Sequence, residues 1–146
     1  MKTFKLTAFI VSAFLMLPFA ALSQSKFLKT EEQTKTLTEE FAKSIMIRNV
    51  EHGIKAMKPY SSIPAETLAI SELQSVQEAY KLLQNFGTPK ELEFIETQRV
   101  GENLIKHKFF ILCEKAPLRV SATYYKSENG WIAVHFGFDG NIAAYF

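Results

Sequence analysis

Only a few side chains of this sequence could take part in nucleophilic, acid–base or metal chemistry. It has one cysteine, Cys113, one aspartate, Asp139, and three histidines, His52, His107 and His135. A histidine and a cysteine on one strand face are typical of a base and its nucleophile. His107 and Cys113, however, are separated by about 20 Å of strand at about 3.3 Å per residue. We therefore predict a buried, inert Cys113 thiol rather than a catalytic pair.

Metal, phosphate and hydrolase motifs are also missing from the sequence. The histidines have neither H-x-x-x-H nor H-x-H spacing, and a single aspartate and cysteine cannot complete a usual zinc ligand set. The sequence contains no Gly-rich phosphate loop and no G-x-S-x-G elbow. We expect no metal and no cofactor, and we favour a protein without catalysis. An approach of His135 to Cys113 across a sheet stays open, because it depends on strand register.

The N-terminus has the three parts of a secretory signal peptide. Lys2 and Lys5 precede an apolar stretch at residues 6–19, and the small residues Ala21 and Ser23 precede Gln24. We predict that residues 1–23 are a cleaved signal, so that the protein is exported, either periplasmic or secreted. The alternative is an uncleaved anchor, because the distance from Lys5 to the next lysine would span a bilayer.

Residues 24–146 are predicted to form one domain with its own core. The whole chain has 17 basic and 15 acidic residues, and two of the lysines lie in the predicted signal. The remaining domain is therefore neutral, which does not favour nucleic-acid binding. With one cysteine it has no internal disulfide, so its stability depends on the core. Once the signal is cleaved, no stable membrane anchor is expected.

Helical patterns occupy the first half of this domain. Thr30 and Gln33 have the spacing of a capping box and predict a helix over about 31–50, followed by a short helix over 51–57. Pro64 begins a third helix, which Gly87 and Pro89 end. The apolar face predicted for this third helix consists of Leu68, Leu73, Val76, Tyr80 and Leu83.

Strand patterns occupy the second half, at about 92–100, 104–114, 118–126 and 131–138, with residues 142–146 as a candidate fifth strand. The short connections predict antiparallel neighbours, so the fold class is α+β, with the helices on one face of the sheet. Alternation in the last strand places Ile132, Val134, Phe136 and Phe138 towards the helices. The opposite face would then carry Trp131, Ala133, His135 and Gly137, beside Arg119, Ser121, Thr123 and Tyr125 of the preceding strand.

This order of elements resembles the nuclear transport factor 2-like superfamily, the cystatin-like cone that also hosts ketosteroid isomerase. The resemblance lies in the helical half ending at Asn-Phe-Gly-Thr-Pro (85–89) and in residues 124–138, Tyr-Tyr-Lys-Ser-Glu-Asn-Gly-Trp-Ile-Ala-Val-His-Phe-Gly-Phe. The latter are similar to the final hairpin of small exported bacterial members. The resemblance implies a cone-shaped pocket and frequent dimerisation through the sheet. Isomerase chemistry is not supported, because Asp139 suits a turn and Glu93 and Glu96 lie on opposite faces.

The predicted function is therefore binding, of a small apolar ligand in the cone or of a protein partner on the sheet face. The alternatives are a pocket enzyme of the lyase, isomerase or hydrolase type and a purely structural homodimer. The predicted ligand- or partner-binding residues are Tyr80, Arg119, Thr123, Tyr124, Tyr125, Trp131 and His135.

Overall fold

Three helices precede four strands in the computed structural model, which describes residues 24–146. The helices are α1 (Glu31–Met46), α2 (Val50–Met57) and α3 (Ala65–Phe86). The strands are β1 (Pro89–Val100), β2 (Leu104–Cys113), β3 (Pro117–Ser127) and β4 (Gly130–Asp139). The predicted α+β class is confirmed, and so are the predicted strands, to within a few residues at each end.

Helix α1 begins at the predicted capping box. The Thr30 hydroxyl accepts from the Gln33 amide at 3.2 Å, and the Gln33 side chain accepts from the Thr30 amide at 3.3 Å. The helix ends at Met46, four residues before the predicted end, because Arg48 has a left-handed backbone with φ of 61°. Such a residue cannot continue a right-handed helix.

The break after α1 lets α2 fold back against it. A Cβ atom on Gly53 would lie 2.9 Å from both Phe41 Cδ2 and Ser44 Cβ, so only glycine permits this approach. A glycine within a helix usually weakens it, but here it lets α2 pack closely against α1.

Helix α3 buries a narrower face than the pattern predicted. Leu68, Val76 and Leu83 are buried as expected, and Ala79 joins them. The predicted face is wrong at two positions, since Leu73 is 66% exposed and Tyr80 38% exposed. Gly87 ends the helix with φ of 87°, as the sequence indicated.

The sheet is an antiparallel meander in the order β1-β2-β3-β4. The candidate fifth strand is wrong, because residues 143–145 form one turn of 3-10 helix. One sheet face packs on the helices and carries the buried residues Ile105, Phe109, Ile111, Leu118 and Val120. We call the other the open face.

A β-bulge in β4 overturns part of the predicted face assignment. Thr123 pairs with His135 while Tyr124 pairs with Ala133, so Val134 is an extra residue and the alternation changes phase there. Trp131 and Ala133 therefore face the helix side and are buried, whereas Ile132 pairs with Tyr125 on the open face. Beyond the bulge the assignment is confirmed: Phe136 and Phe138 pair with the buried Ala122 and Val120 of β3, and His135 and Gly137 lie on the open face.

The residues before α1 are tied to the same region of β4. The Leu28 and Trp131 backbones exchange two hydrogen bonds, of 2.9 and 2.8 Å. The Lys26 amide donates to the Pro59 carbonyl at 2.6 Å. The start of the described chain thus lies beside the end of α2 and the start of β4. The predicted signal at residues 1–23 lies outside the described residues.

Candidate functional site

A cavity of about 220 Å³ lies between α3 and the second half of β4. We call it the α3–β4 cavity. Its walls are mostly apolar and come from α1, α2, α3 and β4, the main contributors being Phe41, Ile54, Leu68, Phe136 and Phe138. Its volume exceeds the about 150 Å³ of an engineered cavity that binds benzene. The cavity therefore has room for a small apolar group.

Small hydroxyl side chains on α3 keep this space from being filled. Thr67, Ser71 and Ser75 line the cavity and recur every fourth residue, which places them on one helix face. The Ser71 hydroxyl donates within its own helix, to the carbonyls of Thr67 at 3.0 Å and of Leu68 at 3.2 Å. A larger apolar residue at this position would reach towards the strand, so the choice of serine leaves the cavity open.

The β4 wall of the cavity is aromatic. Phe136 and Phe138 pair with Ala122 and Val120 of β3, which lie on the helix side of the sheet. The Phe136 ring packs edge-on against Phe41 of α1, with centroids 5.4 Å apart and planes at 84°. This edge-to-face contact fixes the orientation of the Phe136 ring, which forms part of the cavity wall.

Within residues 24–146, one ionisable side chain, that of Glu72, lines the α3–β4 cavity. Glu72 accepts a hydrogen bond from Lys58 Nζ at 2.5 Å, and both side chains are partly buried, with exposed fractions of 27% and 35%. Lys58 follows α2 in a 3-10 turn at residues 58–60. This ion pair links the end of α2 to the cavity rim.

A second cavity, of about 480 Å³, adjoins the first. We call it the polar cavity. Ile63 and Leu68 line both cavities, so the two cavities adjoin at these side chains. The remaining walls carry Lys26, Lys58 and the serines 25, 61 and 62.

A buried polar cluster connects α1 to the sheet, away from both cavities. His107 of β2 is 2% exposed, with Nε2 2.7 Å from the Thr34 hydroxyl and Nδ1 2.8 Å from the Thr97 hydroxyl. Next to it, the hydroxyls of Thr38 and Tyr124 are 2.9 Å apart. Each of these polar side chains has a hydrogen-bond partner, as buried polar groups require.

Hydrogen-bond accounting assigns the tautomer of His107. The Thr34 hydroxyl donates to the Glu31 carbonyl at 2.6 Å, so its oxygen accepts from His107 Nε2–H. His107 Nδ1 then accepts from the Thr97 hydroxyl. A neutral imidazole therefore satisfies both neighbours.

The pKa of His107 is lowered to about 4, mainly by burial and also by the charges of Lys35 and Arg99, while the charge of Glu31 opposes the shift. Glu31 is held by Arg99, whose hydrogen bond lowers the pKa of this carboxyl. Burial raises the pKa of Tyr124. The cluster is thus neutral around pH 7, which suits a structural role.

The predicted binding residues do not form one site. Trp131 and Tyr124 are buried on the helix side, so they cannot join Arg119, Thr123, Tyr125 and His135 on the open face. Tyr80 lies elsewhere on α3, where its hydroxyl donates to the Arg48 carbonyl at 3.0 Å. A binding role for the individual residues stays a prediction.

On the open face, the Arg119 side chain forms an ion pair with Asp139. Its guanidinium donates to Asp139 Oδ2 from Nε at 3.2 Å and from Nη2 at 2.7 Å. Tyr125 is 46% exposed and His135 is also exposed. Trp131 is lost from the set predicted for this face, but Tyr145 lies there and packs edge-on against Phe110, with ring centroids 5.1 Å apart.

The predicted separation of His107 and Cys113 along β2 is confirmed. Cys113 pairs with Pro89 at one end of β2, while His107 pairs with Thr97 further along the strand. Burial raises the pKa of the Cys113 thiol, which disfavours the reactive thiolate. No group of three or more His, Cys, Asp or Glu side chains among residues 24–146 is placed to hold a metal ion.

Sequence reasoning missed the residues that line the α3–β4 cavity. The available signal was the four-residue spacing of Thr67, Ser71 and Ser75 on a helix whose other positions predict a core face. The spacing does not predict a cavity by itself, because the sequence does not show which side of α3 faces β4.

No protein-family model matches the chain, and no curated protein matches it. None of the helices within residues 24–146 is long and apolar enough to span a bilayer.

Two solved structures are similar to this chain. One, from Campylobacter jejuni, is provisionally described as an NTF2-like transpeptidase; it is 15% identical, with a TM-score of 0.48, over 72% of this chain and 96% of that one. The other, from Thiobacillus denitrificans, is provisionally described as a calcium/calmodulin-dependent protein kinase type II association domain. It is 10% identical, with a TM-score of 0.44, over 81% of this chain and 99% of that one. This chain has the order of elements on which the sequence resemblance was based, helices followed by four antiparallel strands.

Proposed function

We propose that this chain is an exported domain that binds a small apolar ligand in the α3–β4 cavity without transforming it. The observation that carries the proposal is the cavity itself, about 220 Å³ between a helix and a strand and walled mainly by Phe41, Ile54, Leu68, Phe136 and Phe138. Concave, mostly apolar cavities with a few polar groups are the usual form of small-molecule sites.

The chemistry of the walls favours binding over catalysis. Glu72 is the ionisable residue among the cavity walls, and Lys58 holds it in an ion pair. A general acid–base mechanism needs a group that can exchange a proton near the operating pH, with a partner that orients it. Among the described residues of the cavity wall no histidine accompanies the hydroxyls of Ser71 and Ser75, and the Glu72 carboxylate is engaged by Lys58.

Export is the second part of the proposal and is supported by the sequence pattern of residues 1–23. Native mass spectrometry of protein purified from the exported fraction of its host measures both parts together. We expect a mass that begins near Gln24 and an additional small molecule that remains bound. A mass that retains residues 1–23 would contradict cleavage, without bearing on the cavity.

A cavity-filling variant tests the ligand site directly. Ser71→Phe places a ring in the α3–β4 cavity, whereas Ile70→Phe changes the neighbouring residue, which is 73% exposed and outside the cavity walls. We expect binding of 1-hexanol, measured by calorimetry, to be lost in Ser71→Phe and retained in Ile70→Phe. If Ser71→Phe folds and still binds 1-hexanol as the parent does, or if the parent does not bind it, the proposed site is wrong.

A further inference from the structure

We infer that the ligand of this site is an amphipathic carboxylate, with its apolar body in the α3–β4 cavity and its carboxylate beside Lys58 in the polar cavity. The inference rests on the proposed function and adds the chemical class of the ligand.

The two cavities lie close enough together for one ligand to reach both. Ile63 and Leu68 are walls of both, and Glu72 of the apolar cavity lies 2.5 Å from Lys58 of the polar one, so we expect a ligand to extend past these side chains. The apolar part has about 220 Å³ and the polar part about 480 Å³. A ligand with one apolar end and one polar end therefore matches the site better than a ligand that is apolar throughout.

The charges of the polar cavity select an anion. Among the residues that the structure describes, Lys26 and Lys58 are its charged wall residues, and its other polar side chains belong to Gln24 and to serines. The Lys26 amide donates to the Pro59 carbonyl at 2.6 Å, which holds this segment against the chain that carries Lys58. A cationic head group would meet two positive charges in this cavity, whereas a carboxylate would meet two donors.

A carboxylate already occupies the position beside Lys58. Glu72 Oε2 lies 2.5 Å from Lys58 Nζ, and Glu72 is itself a wall of the α3–β4 cavity. The site therefore accommodates a carboxylate at the junction of the two cavities, in the partly buried surroundings where charge-assisted hydrogen bonds are strong. A bound ligand carboxylate would share Lys58 with Glu72 or displace it, and the like charge of Glu72 would oppose its binding.

The test compares two probes of the same chain length, hexanoate and 1-hexanol, at neutral pH. We expect the protein to bind hexanoate about tenfold more tightly, which corresponds to one charge-assisted hydrogen bond at about 1.4 kcal/mol per tenfold. Lys58→Met should bring the affinity for hexanoate down to the level of 1-hexanol. Glu72→Gln should raise the affinity for hexanoate severalfold, because it removes the competing carboxylate.

The matched control is Lys55→Met, which removes an exposed lysine of α2 outside both cavities. It should leave the preference for hexanoate unchanged. If Lys58→Met does not fold, Lys58→Gln serves as the second variant, because it keeps length and hydrogen bonding without the charge. Equal affinity for the two probes would overturn this inference and leave the proposed function standing. Failure to bind 1-hexanol, whether or not hexanoate binds, would overturn the proposed function itself.

Discussion

Helices α1 and α3 pack on the same face of the sheet, and both present hydroxyl side chains at four-residue spacing, yet their interfaces with the sheet are opposites. On α1, Thr34 and Thr38 are buried and contact His107 and Tyr124. On α3, Ser71 bonds only within its own helix and borders a cavity. One interface is closed and the other is open.

The difference lies in what the sheet offers to each helix. Beneath α1 the sheet presents an imidazole and a phenol, which reach the threonine hydroxyls and fill the interface. Beneath α3 it presents the rings of Phe136 and Phe138, which give a hydroxyl no hydrogen-bond partner. Hydroxyl side chains along one helix face therefore do not by themselves predict a packed interface or a cavity. The side chains of the sheet that face them decide which of the two forms.

We expect low pH to destabilise the interface of α1 with the sheet before it affects the interface of α3 with the sheet. The pKa of His107 is about 4 in the folded protein, against about 6.5 when the chain is unfolded. The unfolded chain therefore binds a proton first, and stability falls as the pH drops from about 6.5 to about 4. The full loss is about 3 kcal/mol, at 1.36 kcal/mol per pKa unit.

Urea denaturation between pH 7 and pH 4 measures this loss. The charged groups around His107 are Lys35 and Glu31 on α1 and Arg99 on β1, and Glu31 is already paired with Arg99. No carboxylate is thus free to stabilise a charged imidazole. His107→Gln should flatten the profile over this range, and His135→Gln, at an exposed histidine, is the control. A profile that stays steep in His107→Gln would show that another group causes it.

Removing one hydroxyl from each helix tests whether the two interfaces differ in their contribution to stability. Thr34→Val keeps the shape of the side chain but leaves His107 Nε2–H without its acceptor, and we expect it to cost about 2 kcal/mol. Thr67→Val makes the same change at an exposed position beside the cavity and should cost less than about 0.5 kcal/mol. Chemical denaturation of both variants checks this. An equal loss of unfolding free energy in both variants would contradict the difference between a hydrogen-bonded α1 interface and an open α3 interface.

A smaller effect than that of Thr34→Val is expected for Tyr124→Phe. The Thr38 hydroxyl donates to the Thr34 carbonyl at 2.8 Å, so its oxygen accepts from the Tyr124 hydroxyl. The variant removes this one donor and keeps the ring, which should cost about 1 kcal/mol. The double variant with Thr38→Val isolates the coupling between the two side chains. A coupling of zero would show that the hydroxyls act independently.

Local sequence patterns were sufficient for most of the fold. The Thr30–Gln33 capping box, the stop at Gly87 and the alternation in β2 and β3 depend on near neighbours, and each was found where the pattern predicted it. Alternation failed in β4, where a bulge at Val134 reverses the direction of Trp131. A single extra residue leaves no local mark in the sequence, because only pairing with β3 defines it.

The candidate site was harder to predict, for the same reason. The sequence determined the order of helices and strands, the absence of an internal disulfide and the kinds of side chain available. Tertiary structure decided which side chains meet: His107 with Thr34, Lys58 with Glu72, and Phe136 with Phe41. These pairs are far apart along the chain, and their contacts follow from strand register and helix packing, which no periodicity within one element contains.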